Sequence, residues 1–233
     1  MWKNKSFLIP FGFFTLFFVV LMLLAGAVQS KLVTDQKNVY DLIENSVGDV
    51  RIVIFYFASV FFLPFILLFA VNGSLSVDNE AGFFRFLSNK IARWKIFLAK
   101  YFSELVSIFV ALFLVILILL GFSFDRLSGN FLLGLLKSTI FILFYSSAIV
   151  AFYLIFDVIT KSRKLNLLLT IVGFVFMMWL SSLDFFSSFL IFGSTPNILE
   201  LSLGAVLIKS LIMLVTATVF VFLGIWIFNR REL

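Results

Sequence analysis

Six long apolar runs organise this chain, separated by shorter polar or mixed stretches: Phe7–Val28, Ile52–Val77, Tyr101–Phe122, Gly134–Phe156, Leu167–Leu183 and Leu203–Phe228. Runs of roughly 20 apolar residues, rising 1.5 Å per residue as helix, suffice to cross a hydrocarbon core about 30 Å thick. A membrane barrel would instead show ten-residue segments of alternating polarity, so the runs predict transmembrane helices. The pattern gives an all-α integral membrane protein of about six spans, and residues 1–233 form a single transmembrane domain. No internal repeat or low-complexity linker interrupts it.

Composition agrees. The chain is 63% hydrophobic and 13% charged, with 35 Phe, whereas soluble domains average about 45–50% and 25%. Cys and His are both absent. That removes disulfides, thiolate or imidazole metal ligands, Cys nucleophiles and Ser–His or Cys–His couples. The opening MWKNKSFLIPFGFFTLFFVVLMLLAGAVQS has a basic start, an apolar run and small residues near its end, features shared with secretory signals. Its apolar part is about 22 residues against 7–15 for a signal core, which favours a retained first span.

Charge then orients the spans. An even number places both termini on one side, together with Lys3, Lys5, the stretch Asn79–Lys100, Lys161, Arg163, Lys164, Arg230 and Arg231. The opposite side has Lys31, Lys37, Arg51 and Arg126, diluted by Asp35, Asp41, Glu44, Asp49 and Asp125. By the positive-inside rule both termini are cytoplasmic, and the formal charge of +6 reflects basic loops and not nucleic-acid binding. Between spans one and two, Val39, Leu42, Ile43 and Val47 recur at helical spacing, as for a short helix on the outer leaflet. Between spans five and six, Asp184–Glu200 and the residues after it are too apolar for an outer loop and are broken by Gly193, Pro196 and Gly204. Either a re-entrant segment or a tilted helix with a kinked end fits that stretch.

The segment NEAGFFRFLSNKIARWKIFLAK, Asn79–Lys100, is both basic and half apolar. As a helix it would place Phe83, Phe84, Leu87, Ile91, Trp94 and Leu98 on one face, with Arg85, Asn89, Arg93 and Lys100 away from it. Such a helix lies along the inner membrane surface, its charges toward anionic headgroups. Asp78 and Glu80 lead and the cations follow, an order that suits the helix dipole. Lys100 and Glu104 are four residues apart and can pair at the mouth of span three. A simple topology anchor is the plainer reading of the same residues.

Glu80, Gly82, Leu87, Ser88, Arg93, Phe97 and Lys100, in that order between spans two and three, resemble the corresponding segment in membrane subunits of ABC exporters of the type-2 permease class. The closing FNRREL is similar to the basic tail of that family, and Asp184–Glu200 matches its membrane-dipping segment. Lys90 stands where family members commonly have Pro, and only about six residues precede the first span, where many members carry an amphipathic helix. The resemblance implies that Asn79–Lys100 is an amphipathic coupling helix docking on a separate ATPase subunit, with Glu80, Phe84, Arg85, Leu87, Arg93, Trp94 and Lys100 as its contacts. It further implies a complex with two ATPase copies and a second permease, identical or related, in the plasma membrane of a bacterium or archaeon. ATP and Mg would be bound by the partner, since this chain has no GxxxxGK[ST] loop, and the chain would be a transport subunit, not an enzyme.

Phe- and Leu-rich spans with few charges suggest an apolar or amphipathic cargo such as a peptide, lipid-like molecule or drug. Two other classes remain open: a secondary transporter or channel, and a membrane immunity or sensor protein that binds a peptide without moving it. Glu104, Lys137, Asp157, Asp184 and Lys209 are ionisable residues near span ends, where snorkelling to the headgroups is the ordinary expectation. Asp184 and Lys209 are a candidate charge pair on the outer side. An aspartate-dependent membrane protease is disfavoured, because Asp184 stands in SSLDFF and not in GxGD.

Overall fold

The computed structural model describes residues 12, 16–17, 19–21, 23–24, 50–71, 75, 91–124, 127–160, 162–181 and 198–230. Among these every regular element is helical. Five helices are long and apolar enough to cross a membrane: α1 (Val50–Val71), α2 (Arg93–Phe122), α3 (Gly129–Ile159), α4 (Arg163–Ser181) and α5 (Leu203–Arg230). Within the first predicted span, the described residues from Gly12 to Leu24 are helical, and Phe17 packs edge-on against Phe62 of α1 at 4.7 Å between ring centroids. The predicted outer-leaflet helix around Val39–Val47 and most of the stretch Asp184–Glu200 lie outside the described residues.

Serine caps mark three of the helix starts. Ser128 accepts from Phe131 N at 3.1 Å, Ser162 from Leu165 N at 3.2 Å and Ser202 from Ala205 N at 3.3 Å. Each serine thus satisfies an amide that the first turn leaves without a partner. The helix α2 is different. Ile91 is a bend and Ala92 is extended, with φ −58° and ψ 135° and no side-chain cap. The stripe predicted to run unbroken through Ile91, Trp94 and Leu98 is therefore interrupted, and Arg93, Trp94 and Lys100 belong to the first turns of a membrane helix. That helix begins eight residues before the predicted Tyr101.

The helix α3 is the hub. It packs against all four others, most extensively against α5, and every residue from Tyr145 to Leu154 is buried. Ser146, Ser147, Ala148 and Ala151 keep its surface shallow in that stretch, which allows neighbouring backbones to approach. Gly173 of α4 serves the same end, since a Cβ there would stand 2.5 Å from the Phe156 ring. The outer faces are mainly apolar, including Phe61, Phe109, Phe176 and Phe222, as lipid-facing surfaces are. Hydroxyls such as Ser138, Thr160 and Thr216 donate to carbonyls four residues back, which satisfies them without water.

Pro64 lies inside α1. Proline has no N–H, so the carbonyl of Val60, four residues earlier, loses its helical donor. In hydrocarbon that carbonyl needs another partner. The Tyr145 hydroxyl supplies it, donating to Val60 O at 3.1 Å, and Tyr153, two turns along the same face of α3, donates to Pro64 O at 3.0 Å. A double-mutant cycle tests this pairing. Tyr145→Phe should destabilise the protein by about 1–2 kcal/mol, but much less in a Pro64→Ala background, where the helix supplies its own donor. Equal losses in both backgrounds, read from thermal unfolding in detergent, would contradict it.

Candidate functional site

Pairs of contacts fix which helix ends lie together. Arg51 at the start of α1 donates to Phe122 O and, at 3.1 Å, to Ser123 Oγ at the end of α2. Lys137 in α3 is buried and donates from Nζ to Leu199 O at 3.3 Å, just before α5. At the opposite end, Arg93 at the start of α2 donates to Asn229 O at 3.4 Å near the end of α5. Leu75, after α1, donates its amide to Asp157 near the end of α3 at 2.5 Å. Successive helices thus alternate in direction, and one end of the bundle gathers Arg93, Lys95, Lys100, Arg163, Lys164 and Arg230.

That basic end contains the described part of the predicted coupling segment. The Phe97 ring is fully buried and lies directly on Gly224, so α2 and α5 are in tight contact there. Trp94 and Trp226 are exposed, and the Arg230 guanidinium stands 4.2 Å from the Trp226 ring centroid, a cation–π contact. Lys95 stands 5.4 Å from the Trp94 ring centroid. Exposed tryptophans beside cations are characteristic of the level of the headgroups. Glu80, Phe84, Arg85 and Leu87 fall outside the described residues, as does Lys90. Lys100 and Glu104 both belong to α2, one turn apart.

Asp157 departs from the snorkelling expected of it. It is fully buried, with one carboxylate oxygen accepting from the Leu75 amide and the other from Asn166 Nδ2 at 2.8 Å. Thr170 Oγ1 donates in turn to Asn166 Oδ1 at 3.2 Å. Asn166, Thr170 and Phe174 are the buried residues of α4, a narrow stripe at spacing four. The sequence signal for this cluster was two polar residues one turn apart on an otherwise apolar helix. Lys137 likewise turns inward. Lys209 is half-buried in the second turn of α5, and its candidate partner Asp184 lies outside the described residues.

Between α2, α3 and α5 lies an apolar groove of about 650 Å³, open along one side. Leu98, Phe102, Leu105 and Phe109 line it from α2, Leu143 and Phe144 from α3, and Leu214, Val221, Phe222 and Ile225 from α5. Of the polar residues in its lining, Ser146 donates to Leu143 O at 2.8 Å, Ser147 to Phe144 O at 2.7 Å and Thr218 to Leu214 O at 2.8 Å, and Tyr101 adds one phenol. Such walls offer an occupant mainly apolar contact.

No family model, curated protein or solved structure matches this chain.

Proposed function

We propose that this protein is the membrane-spanning permease subunit of an ATP-driven exporter, of the ABC type-2 class that its basic segment resembles, with both termini cytoplasmic and about six spans. The observation that supports the reading best is how the two ends of the segment between α1 and α2 are held. Its start, at Leu75, is held by the Asp157 carboxylate, which also binds Asn166 of α4. Its end, at Arg93, is held by the last turn of α5. A partner that displaced this segment would therefore pull on α3, α4 and α5 together with α2. The cations gathered at the same end favour its placement in the cytoplasm, where an ATPase would reach it.

In this scheme the partner ATPase binds ATP and Mg, and the chain contributes the transport path and the coupling surface. A second copy or a related permease completes the path, and the cargo is apolar or amphipathic. Tagged protein expressed in its native host should bring down an ATPase subunit. Arg93→Glu should lower cargo-stimulated ATP hydrolysis by at least about tenfold, the scale of a reversed charge at an interface. Arg93→Gln, which keeps a donor for Asn229 O, should lower it less. Full stimulated activity in Arg93→Glu would overturn the coupling assignment, and absence of any ATPase would favour a secondary carrier.

A further inference from the structure

The groove between α2, α3 and α5 reaches Leu98 of α2 and Ile225 of α5, within about one to two helical turns of the cations at the basic end of the bundle. On α2, Lys95 and Trp94 precede Leu98 by three and four residues and so stand on the face that lines the groove. On α5, Trp226 follows Phe222 by four and Arg230 follows Trp226 by four, continuing the groove-lining row to the same level. The exposed Trp94 and Trp226 set that level at the headgroups. From there the groove runs into the hydrocarbon along residues 98–109 of α2, about 16 Å of helix.

An apolar trough that starts beneath two cations is complementary to an amphiphile with hydrocarbon chains and an anionic head. We propose that the groove binds an anionic phospholipid from the leaflet at the Arg93–Asn229 end, its chains along Phe102, Leu105 and Phe222 and its phosphate between Lys95 and Arg230. The volume of about 650 Å³ falls within the ~300–1,000 Å³ of small-ligand sites. The engaged hydroxyls of Ser147 and Thr218 leave a wall suited to methylene groups. A second copy of the chain is a poorer occupant. Two copies in one membrane share orientation, and a symmetric contact through this face would bring Lys95 and Arg230 up against their own equivalents. As a cargo site the groove rests on the transport reading above; as a binding site it does not.

The test uses full-length protein purified in a mild detergent, delipidated and titrated with phosphatidylglycerol or phosphatidylcholine of equal chain length, with bound lipid counted by native mass spectrometry. Phosphatidylglycerol should be retained about tenfold more tightly or better, since each cation near an anionic headgroup contributes about 1 kcal/mol. Lys95→Gln with Arg230→Gln should bring the two lipids to parity. Thr218→Trp, which fills the trough, should abolish specific retention of both, and Leu105→Trp provides a second filling variant should the first not fold. Equal retention of the two lipids by the unaltered protein, or retention untouched by filling, would overturn the proposal. So would efficient cross-linking of two copies through cysteines placed at Leu105, a probe without background because the chain has no native Cys. In liposomes with the ATPase, specific retention without ATP-driven movement of the lipid would leave the binding site standing and overturn its role as a cargo site.

Discussion

Asp157→Ala should destabilise the protein by about 3 kcal/mol, since it strands two buried donors at once, each worth about 1–3 kcal/mol when left without an acceptor. The two are the Leu75 amide and the Asn166 side-chain amide, and the carboxylate between them is fully enclosed. Removing the charge itself relieves some desolvation, which keeps the total below the sum of the upper limits. Asp157→Asn should fall between, because its single oxygen can serve one donor while its NH2 faces the other. The swap Asp157→Asn with Asn166→Asp should recover more than half of that loss. The amide at position 157 can then accept from Leu75 and donate to the carboxylate at position 166, which still accepts from Thr170. Thermal unfolding of the purified protein and these three variants in detergent provides the measurement. A swap no better than Asp157→Asn alone would show that the cluster needs its charge at position 157, while an unaffected Asp157→Ala would mean that the cluster does not hold the segment after α1.

The helices were legible in the sequence because hydrocarbon leaves so few alternatives: an apolar run of sufficient length must satisfy its backbone within itself. Their ends were less so. The helix α2 starts at Arg93 and not at Tyr101, because hydropathy does not register the turns that hold Arg93, Lys95 and Lys100 at the interface. The break at Ala92 was equally silent, as alanine is an ordinary helix former and nothing nearby marks a stop. Pro64 could be read as a disturbance in α1, but its remedy lies far along the chain, in the hydrogen bonds from Tyr145 to Val60 O, 85 positions apart, and from Tyr153 to Pro64 O, 89 apart. Asp157 shows the same limit. One ionisable residue two positions from a helix end looks the same in sequence whether it snorkels outward or is sealed in by Asn166 and Leu75.

Gly224→Val should separate the bases of α2 and α5. A hydrogen atom is all that the buried Phe97 ring leaves room for at this position, and a Cβ there would stand 2.4 and 2.8 Å from two ring atoms of Phe97. Overpacking of this kind destabilises by about 1–3 kcal/mol, and here the ring has little freedom to withdraw, being fully buried one turn past Arg93. The strain therefore acts on the same junction that the Arg93 contact to Asn229 O closes. Phe97→Leu should create space and cost about 1–2 kcal/mol alone, yet the pair Gly224→Ala with Phe97→Leu should be more stable than either single change predicts by addition, since each relieves the other. If the junction is the path by which α2 moves α5, Gly224→Val should also depress ATPase stimulation by cargo in the assembled transporter more than an equally destabilising change elsewhere, such as Tyr145→Phe. Equal depression by variants matched for stability would mean that Phe97 and Gly224 hold the bundle together without transmitting motion through it.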